Sequence, residues 1–61
     1  MTLQQAEALV RLTEDQREAL PFYLENGWEV VVNGPDGSVD LLNRAAEEYG
    51  YLRSDGAFRV G

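Results

Sequence analysis

Apolar residues recur at helical spacing in two stretches near the start of the chain. Leu3, Ala6, Leu9 and Val10 form the first, which predicts a helix over about 3–11. Thr2-Leu3-Gln4-Gln5 precedes it as a capping box, with Thr2 at the N-cap and Gln5 reaching back. The same signature returns at Thr13-Glu14-Asp15-Gln16 and opens a second helix, with Ala19, Leu20, Tyr23 and Leu24 along one face. Glu14 and Asp15 sit in its first turn, where the helix dipole favours anions. Asn26-Gly27 supplies a C-cap. Pro21 falls within this helix, where it removes a backbone hydrogen bond at a cost of ~3 kcal/mol. A kink, or a break with Pro21 opening a new helical turn, is therefore expected.

After Gly27 the period changes. Trp28-Glu29-Val30-Val31-Val32 is β-branched and aromatic and predicts a strand. Strict alternation puts Trp28, Val30 and Val32 on one face, with Glu29, Val31 and Asn33 on the other. Three consecutive valines suggest a strand covered on more than one side. Asn33-Gly34-Pro35-Asp36-Gly37 has the composition of a loop. Beyond it, Val39, Leu42, Ala46 and Tyr49 recur at helical spacing, with Ser38 as N-cap and Gly50 at C′, so a third helix is expected over 39–49. The alternative makes Val39-Asp40-Leu41-Leu42 a strand paired with 28–32 across the loop. Residues 51–60 read as a hairpin. A three-residue Ser54-Asp55-Gly56 turn with Gly56 left-handed sets Leu52 opposite Phe58 and Tyr51 opposite Arg59, and the apolar pattern selects that register.

The expected architecture is a single α+β domain over 1–61, in the order α-α-β-α-β-β. It has two N-terminal helices, one intervening helix, and a short antiparallel sheet of about three strands that includes the C-terminal hairpin.

Composition narrows the chemistry. The chain has 61 residues, with 11 acids, five bases, no histidine and no cysteine. All five bases are arginines. Disulfides, thiolate metal sites, imidazole bases and amine nucleophiles are therefore unavailable. Ser38 and Ser54 have no neighbouring base, and so short a chain has little room for the cleft that a carboxylate pair needs. These features point to a non-enzymatic protein without cofactor. Asp36, Ser38, Asp40 and Glu47 mimic part of a calcium-loop spacing, but Leu41 stands where the loop needs glycine, so a plain turn and no metal are expected. Gly27-Trp28-Glu29-Val30-Val31 with Leu42-Asn43-Arg44-Ala45-Ala46-Glu47 resembles pterin-4a-carbinolamine dehydratases over less than a third of the chain. That family's catalytic histidines have no match here, so the resemblance implies no activity.

Charge and segment length narrow the partners. Net charge is −6, and residues 1–36 hold seven acids against two arginines. That acidity argues against polyanion binding as the main task. No apolar run approaches the ~20 residues of a membrane span, and the first residues lack the basic region of a signal peptide. A cytoplasmic setting is expected.

The reading that follows is a small acidic cytoplasmic protein acting by protein–protein interaction, with another protein or a second copy of itself. A homodimer would add buried area and hide the edge of the Trp28–Val32 strand. The expected contact residues are Phe22, Tyr23, Trp28 and Tyr51, with Glu14, Asp15 and Glu18 as a charged rim. The alternative is a nucleic-acid-related regulator. It would be either a winged-helix-like binder using Arg53 and Arg59 on the hairpin, or an acidic mimic that occupies a basic groove as small phage-type inhibitors can.

Overall fold

A computed structural model describes residues 1–61. Two helices come first, α1 over Leu3–Leu9 and α2 over Glu14–Glu25. Four strands follow, β1 over Trp28–Asn33, β2 over Val39–Asn43, β3 over Glu48–Leu52 and β4 over Phe58–Val60. They form one antiparallel meander in chain order, so each strand pairs with its sequence neighbour. The class is α+β, as the sequence indicates. The order is α-α-β-β-β-β, with one strand more and one helix fewer than expected.

Both capping boxes form. Thr2 and Gln5 exchange hydrogen bonds of 2.8 and 3.1 Å, as do Thr13 and Gln16. The first helix stops at Leu9 because Val10 turns extended and buries its side chain. The second runs unbroken through Pro21 to Glu25, so of the two expected outcomes, kink or break, the break does not occur. Tertiary packing holds it: Leu20 on one side of the proline is fully buried, and Tyr23 and Leu24 on the other pack on the core.

The expected helix over 39–49 is a hairpin, and the alternative strand is the one that forms. Period 2 fits β2 as well as period 3.6 does: Val39, Leu41 and Asn43 are buried, while Asp40 and Leu42 point away. Pairing with β1 on one side and β3 on the other decides between the two periods. Asn43 closes the turn, accepting from the Ala46 N–H at 3.2 Å and donating to the Asn26 carbonyl at 3.3 Å. Glu47 completes it in the left-handed region at φ 55°. A side chain there costs ~1–2 kcal/mol relative to glycine. Glu47→Gly is expected to raise the melting temperature by roughly 4–8 °C, the shift that ~1 kcal/mol gives a domain this small. Calorimetry that finds no gain would show that the turn is unstrained.

The other two turns share one design. Gly34 pairs with Ser38 around Pro35-Asp36-Gly37, and Arg53 pairs with Ala57 around Ser54-Asp55-Gly56. Gly37 and Gly56 lie at φ 84° and 89°, and in each loop the aspartate accepts the N–H two residues on. The register of the last hairpin is as the apolar pattern requires, Leu52 opposite Phe58 and Tyr51 opposite Arg59.

Both helices cover one face of the sheet. Ala6, Val10 and Leu20 meet Trp28, Val30, Val39, Leu41 and Leu52 in the core. Gln16 is fully buried among them; its amide donates to the carbonyls of Gly37 (2.9 Å) and Leu52 (3.1 Å). Asn33 clamps the linker between the helices by bonding both the N–H and the carbonyl of Arg11. No helix is long and apolar enough to cross a membrane.

Candidate functional site

The opposite face of the sheet carries no covering element. Its residues follow from the pairing registers. One row runs Glu29, Leu42, Tyr49 across β1 to β3; the next runs Val32, Asp40, Tyr51, Arg59 across all four strands. Val32 reaches this face through a β-bulge. Val30 pairs with Leu41, Val32 with Asp40, and Val31 is the extra residue between them. The phase of the strand therefore flips, and Val32 does not share the face of Trp28 and Val30 as simple alternation implies. Nor is the valine run covered on both sides: Val31 is 45% and Val32 52% exposed. Tyr49 and Tyr51 are 47% and 39% exposed beside the half-buried Leu42. Apolar and aromatic surface is thus left in solvent on this face, with Asp40 between Val32 and Tyr51.

The charges on this face are of both signs, and Arg53 pairs with Asp55 at 4.0 Å. Glu29 holds Arg44 in an ion pair at 2.9 Å. Asp40 and Arg59 make no ion pair within the chain. Toward the β1–β2 turn, Asp36, Ser38, Tyr51, Arg53, Arg59 and Gly61 line a shallow open pocket. The Ser38 hydroxyl and backbone N–H, with Arg53 nearby, hold the Asp36 carboxyl below its ordinary range. Its folded pKa thus lies under its unfolded one. The stability it contributes is present above the unfolded pKa, and is lost as pH falls through the folded value. Asp36→Asn is expected to flatten the acid limb of a stability–pH curve below about pH 4. An unchanged limb would place the acid sensitivity elsewhere.

The residues singled out from the sequence are dispersed over the fold. Trp28 is buried, edge-on to Phe58 with ring centroids 5.1 Å apart. Tyr23 is half-buried and stacked on the same ring at 4.2 Å. These two build the core. Phe22, 64% exposed on α2, stands edge-on to Tyr23. Glu14, Asp15 and Glu18 are exposed on α2, and the Asp15 backbone lies against Gly56. Of the expected contact set only Tyr51 lies on the open face, where Arg59 and the pocket-lining Arg53 join it. Val31, Val32, Leu42 and Tyr49 were not anticipated. Their exposure depends on the bulge and on the strands that replace the expected helix.

Residues 42–47, helical in the dehydratase comparison, are here a strand end and a turn. The recognition helix of a winged-helix layout would also have to come from 39–49, which forms β2, a turn and the start of β3. No family model matches the chain, and neither a curated protein nor a solved structure matches it significantly.

Proposed function

We propose that this chain is a non-catalytic binding protein that acts by protein–protein interaction through the open face of its sheet, with the cytoplasm as its expected setting. The observation that carries this reading is the uncovered surface of Val31, Val32, Leu42, Tyr49 and Tyr51 on the sheet face opposite the helices. Aromatic residues ringed by charges of both signs are the composition of a protein contact. A nucleic-acid strand would meet three arginines there against Glu29, Asp36, Asp40 and Asp55, and would gain little from counterion release.

A photo-crosslinking residue placed at position 49 tests this in cells that make the protein, with position 18 on α2 as the comparison. Discrete protein adducts from position 49, absent from position 18, are expected. Equal labelling from both positions, or none from 49, would sink the reading.

A further inference from the structure

Most of this protein would repel a second copy of itself, and the open face would not. Glu29, Asp36 and Asp40 there stand with Arg44, Arg53 and Arg59, and Asp55 pairs with Arg53 at 4.0 Å, so four acids meet three arginines and the face is close to neutral. The remaining seven acids and the other two arginines, Arg11 and Arg17, carry −5 of the net charge of −6. An acidic chain can therefore approach its own copy at this face without juxtaposing like charge, whereas a strongly acidic or basic partner finds no complementary field.

The order of residues along one row adds geometry to that argument. Asp40 on β2, Tyr51 on β3 and Arg59 on β4 lie side by side in register. Neighbouring strands are ~4.8 Å apart, so the acid and the base stand at about equal distances on either side of the tyrosine. Rotation by 180° about an axis lying over Tyr49 and Tyr51 and parallel to β3 exchanges the positions of β2 and β4. It brings Asp40 against the partner's Arg59 and Arg59 against the partner's Asp40, with the tyrosines of the two copies meeting on the axis. The row is self-complementary, as a closed two-fold interface requires. Aligned sheets cross at about 30°, which at one strand from the axis displaces the pair by only about 2.5 Å, within the reach of an arginine side chain. With the axis over β3, strands β2, β3 and β4 of the two copies overlap and β1 projects beyond the partner's β4, so Val31 and Val32 flank the contact.

We infer that the open face is the interface of a two-fold homodimer, in which Asp40 of each copy pairs with the partner's Arg59 across a centre of Tyr49 and Tyr51. The inference rests on the open-face reading and names the occupant.

Charge exchange tests it with the purified full chain. Sedimentation equilibrium should give twice 6.8 kDa for the unmodified protein. Asp40→Arg and Arg59→Asp should each weaken the dimer at least about tenfold, because each sets like charges together twice per dimer. The double variant D40R/R59D should recover the dimer, since it restores opposite charges in both pairs. Amide spectra of each variant confirm that it is folded. A mass that stays at 6.8 kDa into the millimolar range overturns the inference. So does a dimer indifferent to both single changes, or one that the double variant fails to restore. Crosslinks from position 49 to a different protein, alongside a monomeric mass, would overturn the dimer and leave the open-face reading standing.

Discussion

Gln16→Leu should remove about 3 kcal/mol of stability, although leucine matches glutamine in size and the site is fully buried. The glutamine joins α2 to both of the Asp-Gly hairpin turns. Its amide nitrogen donates to the carbonyls of Gly37 and Leu52, and its amide oxygen accepts the Thr13 N–H at 2.8 Å. Leucine leaves those three backbone groups without their partner, and each unsatisfied buried group costs ~1–3 kcal/mol. The apolar surface gained returns part of that, and the Thr13 hydroxyl keeps its bond to the Ser54 carbonyl at 2.7 Å. Against a total of roughly 3–9 kcal/mol for a chain of this length, the net loss decides whether the domain stays folded at 37 °C. Urea unfolding should show a much lower midpoint with an unchanged slope. Gln16→Glu serves as the control: at neutral pH a carboxylate would face two carbonyl oxygens and lose at least as much, and protonation in acid should return part of the deficit. A Leu variant within 1 kcal/mol of the parent would mean that water replaces the amide.

The contrast between Gln16 and its neighbours shows what the sequence could and could not convey. Its capping role is legible because the partner, Thr13, is three residues away. Its other two bonds span 21 and 36 residues, and no local pattern announces them. The last hairpin was legible to its register, because a short turn leaves few pairings and only one keeps Leu52 and Phe58 on the same face. The segment 39–49 was ambiguous on its own terms. Val39 satisfies both periods, Leu42 and Tyr49 fit a helix face, and Leu41 and Asn43 fit a strand face. Pairing to β1 and β3 resolves the ambiguity, and that information lies outside the segment. The candidate site suffered most from this. With a helix at 39–49, half of the open face does not exist, so Leu42 and Tyr49 had no surface to belong to. The bulge at Val31 hid Val32 in the same way, since a single extra residue reverses every later side chain in the strand.

On sequence alone Gly50 fits the stop of that helix, and its position within β3 predicts an effect of the opposite sign from propensity. Glycine inside a strand ordinarily costs ~0.5–1 kcal/mol relative to alanine, so Gly50→Ala in β3 would be expected to stabilise. Here the glycine is buried under aromatic rings. An added Cβ would press against the tip of the Phe58 ring, nearest Cζ and 2.7 Å from Cε1, and would lie 3.0 Å from Trp28 Cζ3. Moving Phe58 aside would disturb both its stack on Tyr23 at 4.2 Å and its edge contact with Trp28 at 5.1 Å. Overpacking of this kind costs ~1–3 kcal/mol and exceeds the propensity gain. Gly50→Ala should therefore destabilise by about 2 kcal/mol, a fall of roughly 8–16 °C in melting temperature for a domain this small. Trp28 fluorescence should shift as its ring is displaced. Phe58→Leu tests the cause: with the ring removed, adding Ala at position 50 should cost less than about 0.5 kcal/mol, a coupling of about 1.5 kcal/mol and well beyond the ~0.5 kcal/mol within which independent sites add. A Gly50→Ala protein that is as stable as the parent would show that the aromatic triad yields, and that Gly50 is set by the strand and not by the rings above it.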